Sequence, residues 1–251
     1  MFKAVMDDAR IWKNLVTAIS TLIEEADFDA TSDGIKLRSM DPSHVAMVDF
    51  EWPKTAFTEY SCSEPAKIRV NLAGMLKLLR RVRSDEKLEI AYDKAMKKLD
   101  IALKGKIARK FTMPTLEPGE EEVPTPKIAF NAKIRLVAES LKDVIEDSQA
   151  ISDNVRLETT PEKFIIKTTG ELSSATIELE KGTEALLELD VKEPSTANFN
   201  LSYLAEIVKA GATASEVVTV EYSTNMPIKL QFEIPQQGHL LYYLAPRIEA
   251  E

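Results

Sequence analysis

Apolar and polar residues alternate along most of this chain, and the alternation predicts strands. Ile228-Lys229-Leu230-Gln231-Phe232-Glu233-Ile234 alternates strictly, and the stretch from Val45 to Trp52 tends to. Val155 to Glu158 and Ile177 to Glu180 repeat the pattern in shorter form. A period of two marks sheets with one buried and one wet face, usually antiparallel. Turn signals separate the strands: Ser32-Asp33-Gly34, Thr160-Pro161-Glu162, Thr169-Gly170 and Asn225-Met226-Pro227. Four stretches switch to helical spacing. The first, about Asp8 to Ser20 with Asp7 or Asp8 as cap, should bury Ile11, Leu15, Ala18 and Leu22. The second starts after Asn71 and should bury Leu72, Met75, Leu76 and Leu79. The third, about Glu139 to Gln149, should bury Leu141, Val144, Ile145 and Ile151. The fourth starts after Asn200 and should bury Leu201, Leu204, Ile207 and Val208.

These elements come twice. The run from Val70 to Arg81 recurs from Phe199 to Ala210, which sets Asn71 and Asn200 129 residues apart. Each copy precedes a strand-like stretch, Lys87 to Tyr92 and Val217 to Tyr222. The helical pattern from Asp8 to Ile19 is echoed from Ala138 to Ile151. A repeat this long means two copies of one domain rather than a short-period solenoid. The fold class is α+β: two similar domains of antiparallel sheet with two helices each. Between them, Met113 to Pro126 carries four prolines and four glutamates and reads as an extended connector. The predicted organisation is residues 1–113, a connector at 114–126, and residues 127–251. Leu116 and Val123 are expected to dock the connector back onto the body.

Composition narrows the function classes. The 251 residues carry a formal net charge of −9, so overall charge does not advertise nucleic acid. One cysteine, Cys62, makes no internal disulfide and fits a reducing interior. The start lacks a signal-peptide run, and no apolar stretch reaches membrane-spanning length. Asp41, Ser43 and His44 stand close in sequence and allow a hydrolase reading, but a triad is defined by geometry, and these residues read as a tight turn. Two distant histidines and one cysteine supply no zinc set, and Gly105 and Gly182 are isolated rather than part of a phosphate loop. No catalytic residue, metal or cofactor is expected.

The exposed helix faces say more. Arg10 and Lys13 lie three apart on the first helix, Lys77, Arg80 and Arg81 on the second, Lys142 on the third and Lys209 on the fourth. Bases on equivalent faces of repeated helices, in an acidic chain, suggest a local positive surface. Glu146, Asp147 and Glu206 weaken the pattern in the second half.

Met1-Phe2-Lys3-Ala4, Glu24-Glu25-Ala26, Asp33-Gly34-Ile35, the turn from Ser39 to Val45 and the end from Gly238 to Glu249 resemble the sliding clamp family called proliferating cell nuclear antigen. The resemblance covers essentially the whole chain, and the short acidic connector looks archaeal. It implies a pseudo-six-fold homotrimeric ring with helices lining the hole and double-stranded DNA threaded through it, held without sequence preference. It implies no chemistry, and a cytoplasmic location, or nuclear for a eukaryotic source. Implied partners are DNA polymerase, clamp loader, and flap nuclease and ligase type enzymes that bind through short peptide motifs.

Positions matching the family's partner-peptide site are Met40, His44, Val45, Leu116, Val123, Pro227, Tyr243, Ala245, Pro246 and Ile248. The family's subunit joint falls on the strand at about Ile107 to Met113 and the strand at about Ser173 to Glu180. Charge agrees independently: Arg109 and Lys110 make the first basic, Glu178 and Glu180 make the second acidic. Apolar contact is expected from Ile107, Phe111, Ile177 and Leu179. Two alternatives are a subunit of a heteromeric or checkpoint-type clamp, and a β-scaffold that binds no DNA.

Overall fold

The structure, a computed structural model, describes residues 1–119 and 123–248. The connector's Glu120-Glu121-Glu122 and the terminal Glu249 of the family resemblance lie outside them.

The first half runs β1 (Phe2–Met6), α1 (Ala9–Ile19), β2 (Glu25–Ala30), β3 (Gly34–Met40), β4 (Ala46–Pro53), β5 (Glu59–Cys62), β6 (Ala66–Asn71), α2 (Leu72–Leu79), β7 (Lys87–Asp93), β8 (Lys98–Lys104) and β9 (Arg109–Pro114). The second repeats it: β10 (Ala132–Val137), α3 (Ala138–Gln149), β11 (Asn154–Thr159), β12 (Lys163–Thr169), β13 (Ser174–Glu180), β14 (Leu186–Val191), β15 (Ser195–Asn200), α4 (Leu201–Ala212), β16 (Val217–Tyr222), β17 (Ile228–Ile234) and β18 (Gly238–Leu244). The chain divides into two compact units: Met1–Pro42, Val48–Val123 and Ile234–Leu240 in one, the remainder in the other.

In the first unit the strand orders are β5-β1-β7-β8-β9 and β4-β3-β2-β6. In the second they are β14-β10-β16-β17-β18 and β13-β12-β11-β15. Adding nine to each strand number of the first unit gives the second. The ladders are antiparallel, with Phe2 opposite Tyr92 and Ala132 opposite Tyr222. This is the α+β architecture that the sequence predicts.

Each unit has its own core. In the first, the Trp12 and Trp52 rings stack with centroids 6.3 Å apart, and Phe57 lies 4.9 Å from Trp52. In the second, Phe199 meets Tyr222 edge-on at 6.5 Å, and Phe232 meets Tyr242 at 6.0 Å. Here α4 runs very close to β17: a Cβ on Gly211 would stand 2.2 Å from the Phe232 ring.

The helices start where their caps predict. Asp8 accepts from Arg10 N, Asn71 from Gly74 N and Asn200 from Tyr203 N. Their buried faces differ in part from expectation. α1 buries Ala9, Trp12, Leu15, Val16, Ala18 and Ile19, while Ile11 is half-buried and Leu22 lies buried beyond the helix end. The stripe at positions 12, 15, 16 and 19 takes the inward face, which turns Ile11 sideways. Leu76 is half-buried, and α2 stops at Leu79 with Arg80 as C-cap, so Arg81 follows the helix rather than riding on it. Val144 on α3 and Ile151 just past its end are half-buried, whereas Ser148 is fully buried and donates from Oγ to the Val144 carbonyl at 2.9 Å. That bond satisfies the hydroxyl inside the core.

Candidate nucleic-acid interface

α1 and α2 pack side by side in the first unit, as α3 and α4 do in the second. Neither α1 nor α2 contains a carboxylate. Arg10 is tied to the cap residue, its Nη2 lying 2.7 Å from Asp8 Oδ2. The guanidinium hydrogen bonds hold the Asp8 carboxyl below its ordinary range. Lys77, Arg80 and Arg81 are exposed and Lys13 is half-exposed, and none of the four has an ion-pair partner among the described residues. They therefore remain open to an external anion.

The second unit carries a different charge pattern on the same scaffold. α3 contains Glu139, Asp143, Glu146 and Asp147 against one base, Lys142, which pairs with Glu139. That pairing raises the Lys142 pKa, through its hydrogen bond to Glu139 first. On α4, Lys209 is exposed and shares the outer face with Glu206. At the 129-residue offset, Glu139 replaces Arg10 and Glu206 replaces Lys77.

β9 and β13 each end a sheet order. Ile107 precedes β9 in an exposed turn rather than lying in the strand, so it adds nothing to the ladder. Phe111, Ile177 and Leu179 are half-buried in their strands. The edge charges already have partners at home. Arg109 Nη2 donates to both oxygens of Glu86 at 2.6 Å, and Glu86 is only 5 % exposed. Lys110 lies 2.9 Å from Asp100, and Glu178 accepts from Lys163 at 2.7 Å. Glu180 has no ion pair among the described residues. Sequence reasoning missed Glu86, and only its position after an arginine-rich run could have hinted at a partner.

The residues matched to a peptide site fall in both units. In the first, Met40 ends β3 half-buried, the Leu116 N–H donates to the Arg69 carbonyl at 2.8 Å, and the Val123 carbonyl accepts from Arg38. In the second, the Val45 carbonyl accepts from Ala245 N at 2.9 Å. His44 is exposed with φ +55°, Pro227, Tyr243, Ala245 and Pro246 are half-buried, and Ile248 is 81 % exposed. Asp41 is buried, whereas Ser43 and His44 face solvent. Among the described residues no group of three or more His, Cys, Asp or Glu side chains could hold a metal ion, and no helix is long and apolar enough to cross a membrane.

Residues 1–117 match the family described as proliferating cell nuclear antigen, N-terminal domain, and residues 124–247 match its C-terminal domain. The DNA polymerase sliding clamp 1 of Pyrobaculum aerophilum is 36% identical over 242 residues, 96% of each chain. The DNA polymerase sliding clamp of Pyrococcus furiosus is 34% identical over 248 residues, 99% of each chain. The crystal structure of PCNA from Thermococcus kodakaraensis superposes with a TM-score of 0.94 at 27% identity, covering 98% of this chain and 100% of that one. With both halves matched in order, the chain belongs to the proliferating cell nuclear antigen family of sliding clamps.

Proposed function

We propose that this chain is one subunit of a homotrimeric DNA sliding clamp that works in the cytoplasm and performs no chemistry. Three copies close head to tail, pairing β9 of one subunit with β13 of the next. Such a heterologous joint closes into a ring and covers two exposed ladder edges. Duplex DNA passes through the ring, facing Arg10, Lys13, Lys77, Arg80, Arg81, Lys142 and Lys209. Phosphate contacts alone let the ring slide, because base readout would hold it at one sequence.

The observation that carries this reading is the absence of carboxylates on α1 and α2, where Lys13 and Lys77 on the helices, with Arg80 and Arg81 at and just past the end of α2, have no ion-pair partner among the described residues. Polymerase, clamp loader, flap nuclease and ligase type enzymes attach by short peptides at sites that include His44, Ala245, Pro246 and Ile248, and tethering raises their local concentration on DNA. Light scattering on the pure chain tests the joint: a mass of three chains supports it, and a monomer at micromolar concentration favours a heteromeric clamp instead. Polymerase extension on primed DNA with the clamp loaded tests the DNA-facing surface, and unchanged product length on adding the clamp would overturn it.

A further inference from the structure

The strand groups β4-β3-β2-β6 and β13-β12-β11-β15 carry equivalent rows of residues, and among the described residues a chain segment crosses only the first row. In the first unit Arg69, Asp27 and Arg38 stand side by side on β6, β2 and β3, in the register that sets Asp27 opposite Arg69 and Asp29 opposite Lys36. The connector crosses this row. Leu116 N donates to the Arg69 carbonyl at 2.8 Å, Gly119 N donates to the Asp27 carboxylate at 3.3 Å, and Arg38 donates to the Val123 carbonyl at 3.4 Å. Gly119 fits because a Cβ there would meet the Arg69 guanidinium at 2.6 Å.

The matching row in the second unit is Asn198, Arg156 and Lys167, on β15, β11 and β12, in the same register. The strap begins identically: Arg247 N donates to the Asn198 carbonyl at 2.7 Å, as Leu116 does to Arg69. No described segment crosses Arg156 or Lys167, and a polar groove of about 410 Å³ opens over them. The chemistry of the row has also changed. Where Asp27 accepts a backbone N–H, Arg156 can only donate, and Lys167 beside it can only donate as well. Glu158 binds both, at 2.8 Å and 2.7 Å, yet half of the Arg156 side-chain surface remains in solvent. Two cations of the groove thus share one carboxylate, and Arg247 donates to Asn154 Oδ1 on the groove's lining.

We propose that this groove docks an extended, acidic peptide segment of a partner protein, laid across β15, β11 and β12 as the connector is laid across β6, β2 and β3. The segment supplies carboxylate and carbonyl oxygens to Arg156 and Lys167, the acceptors that the exchange of Asp27 for Arg156 demands. The inference rests on the internal repeat and not on the DNA-facing helices.

The test uses the intact chain and a fluorescent peptide with the connector's own sequence, Pro114 to Pro126, whose anisotropy is followed at low salt. Binding should weaken at least tenfold in the Arg156→Glu/Lys167→Glu variant and be retained in Lys133→Ala, a change on another sheet. The milder Arg156→Gln/Lys167→Gln pair should weaken it in the same direction, which guards against misfolding of the reversed variant. Equal binding of a peptide with every glutamate changed to glutamine would overturn the proposal. So would binding that emerges only when residues 249–251 are deleted, since the groove would then belong to the chain's own tail.

Discussion

The helix faces of the two units differ where their cores agree. α2 and α4 bury apolar side chains at matching places, Leu72 with Leu201 and Met75 with Leu204. The outer faces of the helices diverge: Arg10 of α1 and Lys77 of α2 become Glu139 of α3 and Glu206 of α4. Burial fixes a helix against its sheet, so the inward stripe must persist for the fold to persist. The solvent face carries no such requirement. One scaffold thus presents a basic surface in one copy and a mixed surface in the other, and under the proposed function the grip on DNA is concentrated on the first unit.

The largest effect should come from removing that concentration. Lys77→Ala/Arg80→Ala/Arg81→Ala should flatten the log–log salt dependence of DNA binding by roughly 2 to 3, at about 0.9 for each phosphate that is no longer neutralised. Lys142→Ala/Lys209→Ala, in the second unit, should flatten it by less than half as much. Equal slopes from the two variants, measured by DNA retention at several salt concentrations, would break the comparison.

A packing test comes next. α4 has twelve residues against eight in α2, and Gly211 near its end passes against Phe232 where a methyl would collide. Gly211→Ala should therefore destabilise the second unit by about 1–3 kcal/mol, the usual effect of overpacking, despite alanine's better helix propensity. Denaturant unfolding reads it as a lower midpoint.

Charge transplantation sharpens the comparison from the other side. Glu139→Arg with Glu206→Lys copies the first unit's pattern onto the second, and DNA affinity should rise with a salt slope steeper by roughly 1 to 2. An unchanged slope would mean that these positions do not reach phosphate.

The smallest effect concerns the caps. Asp8 caps α1 with its side chain, whereas Val137 offers α3 no such bond. Asp8→Ala should cost about 1 kcal/mol near neutral pH. The folded carboxyl sits below its ordinary range, so the stabilisation is complete above the unfolded pKa of about 3.9 and is lost as pH falls through the lower folded value. Acid unfolding of the wild type and of Asp8→Ala should converge as that carboxyl protonates.

Much of this fold is legible in the sequence because its signals are local. Asn71 and Asn200 mark helix starts through side-chain geometry, and Ile228 to Ile234 announces a strand by alternation alone. What escaped depends on contacts distant in sequence. Trp12 is inward because Phe28 and Trp52 wait for it, and nothing near Trp12 shows that. Leu116 docks through its backbone N–H, which no side chain advertises. At the candidate edge joint the sign of the charges was readable, yet their partners Glu86, Asp100 and Lys163 came from the fold. The bases of α1 and α2 were legible as a surface, although the end of α2 before Arg81 was not.

The Glu86–Arg109 pair also limits how this strand edge can change over generations. Loss of the arginine alone leaves a buried carboxylate without its counter-charge, held among the described residues only by the Arg83 N–H at 2.9 Å, at a cost of about 3–5 kcal/mol, whereas replacing both by apolar groups of similar volume is nearly neutral. The two positions lie 23 residues apart but are linked as one heritable unit, with a valley between their charged and apolar forms. Related chains should hold both charges or neither, and lineages that cross should do so through rare paired substitutions while the neighbouring exposed positions drift one at a time.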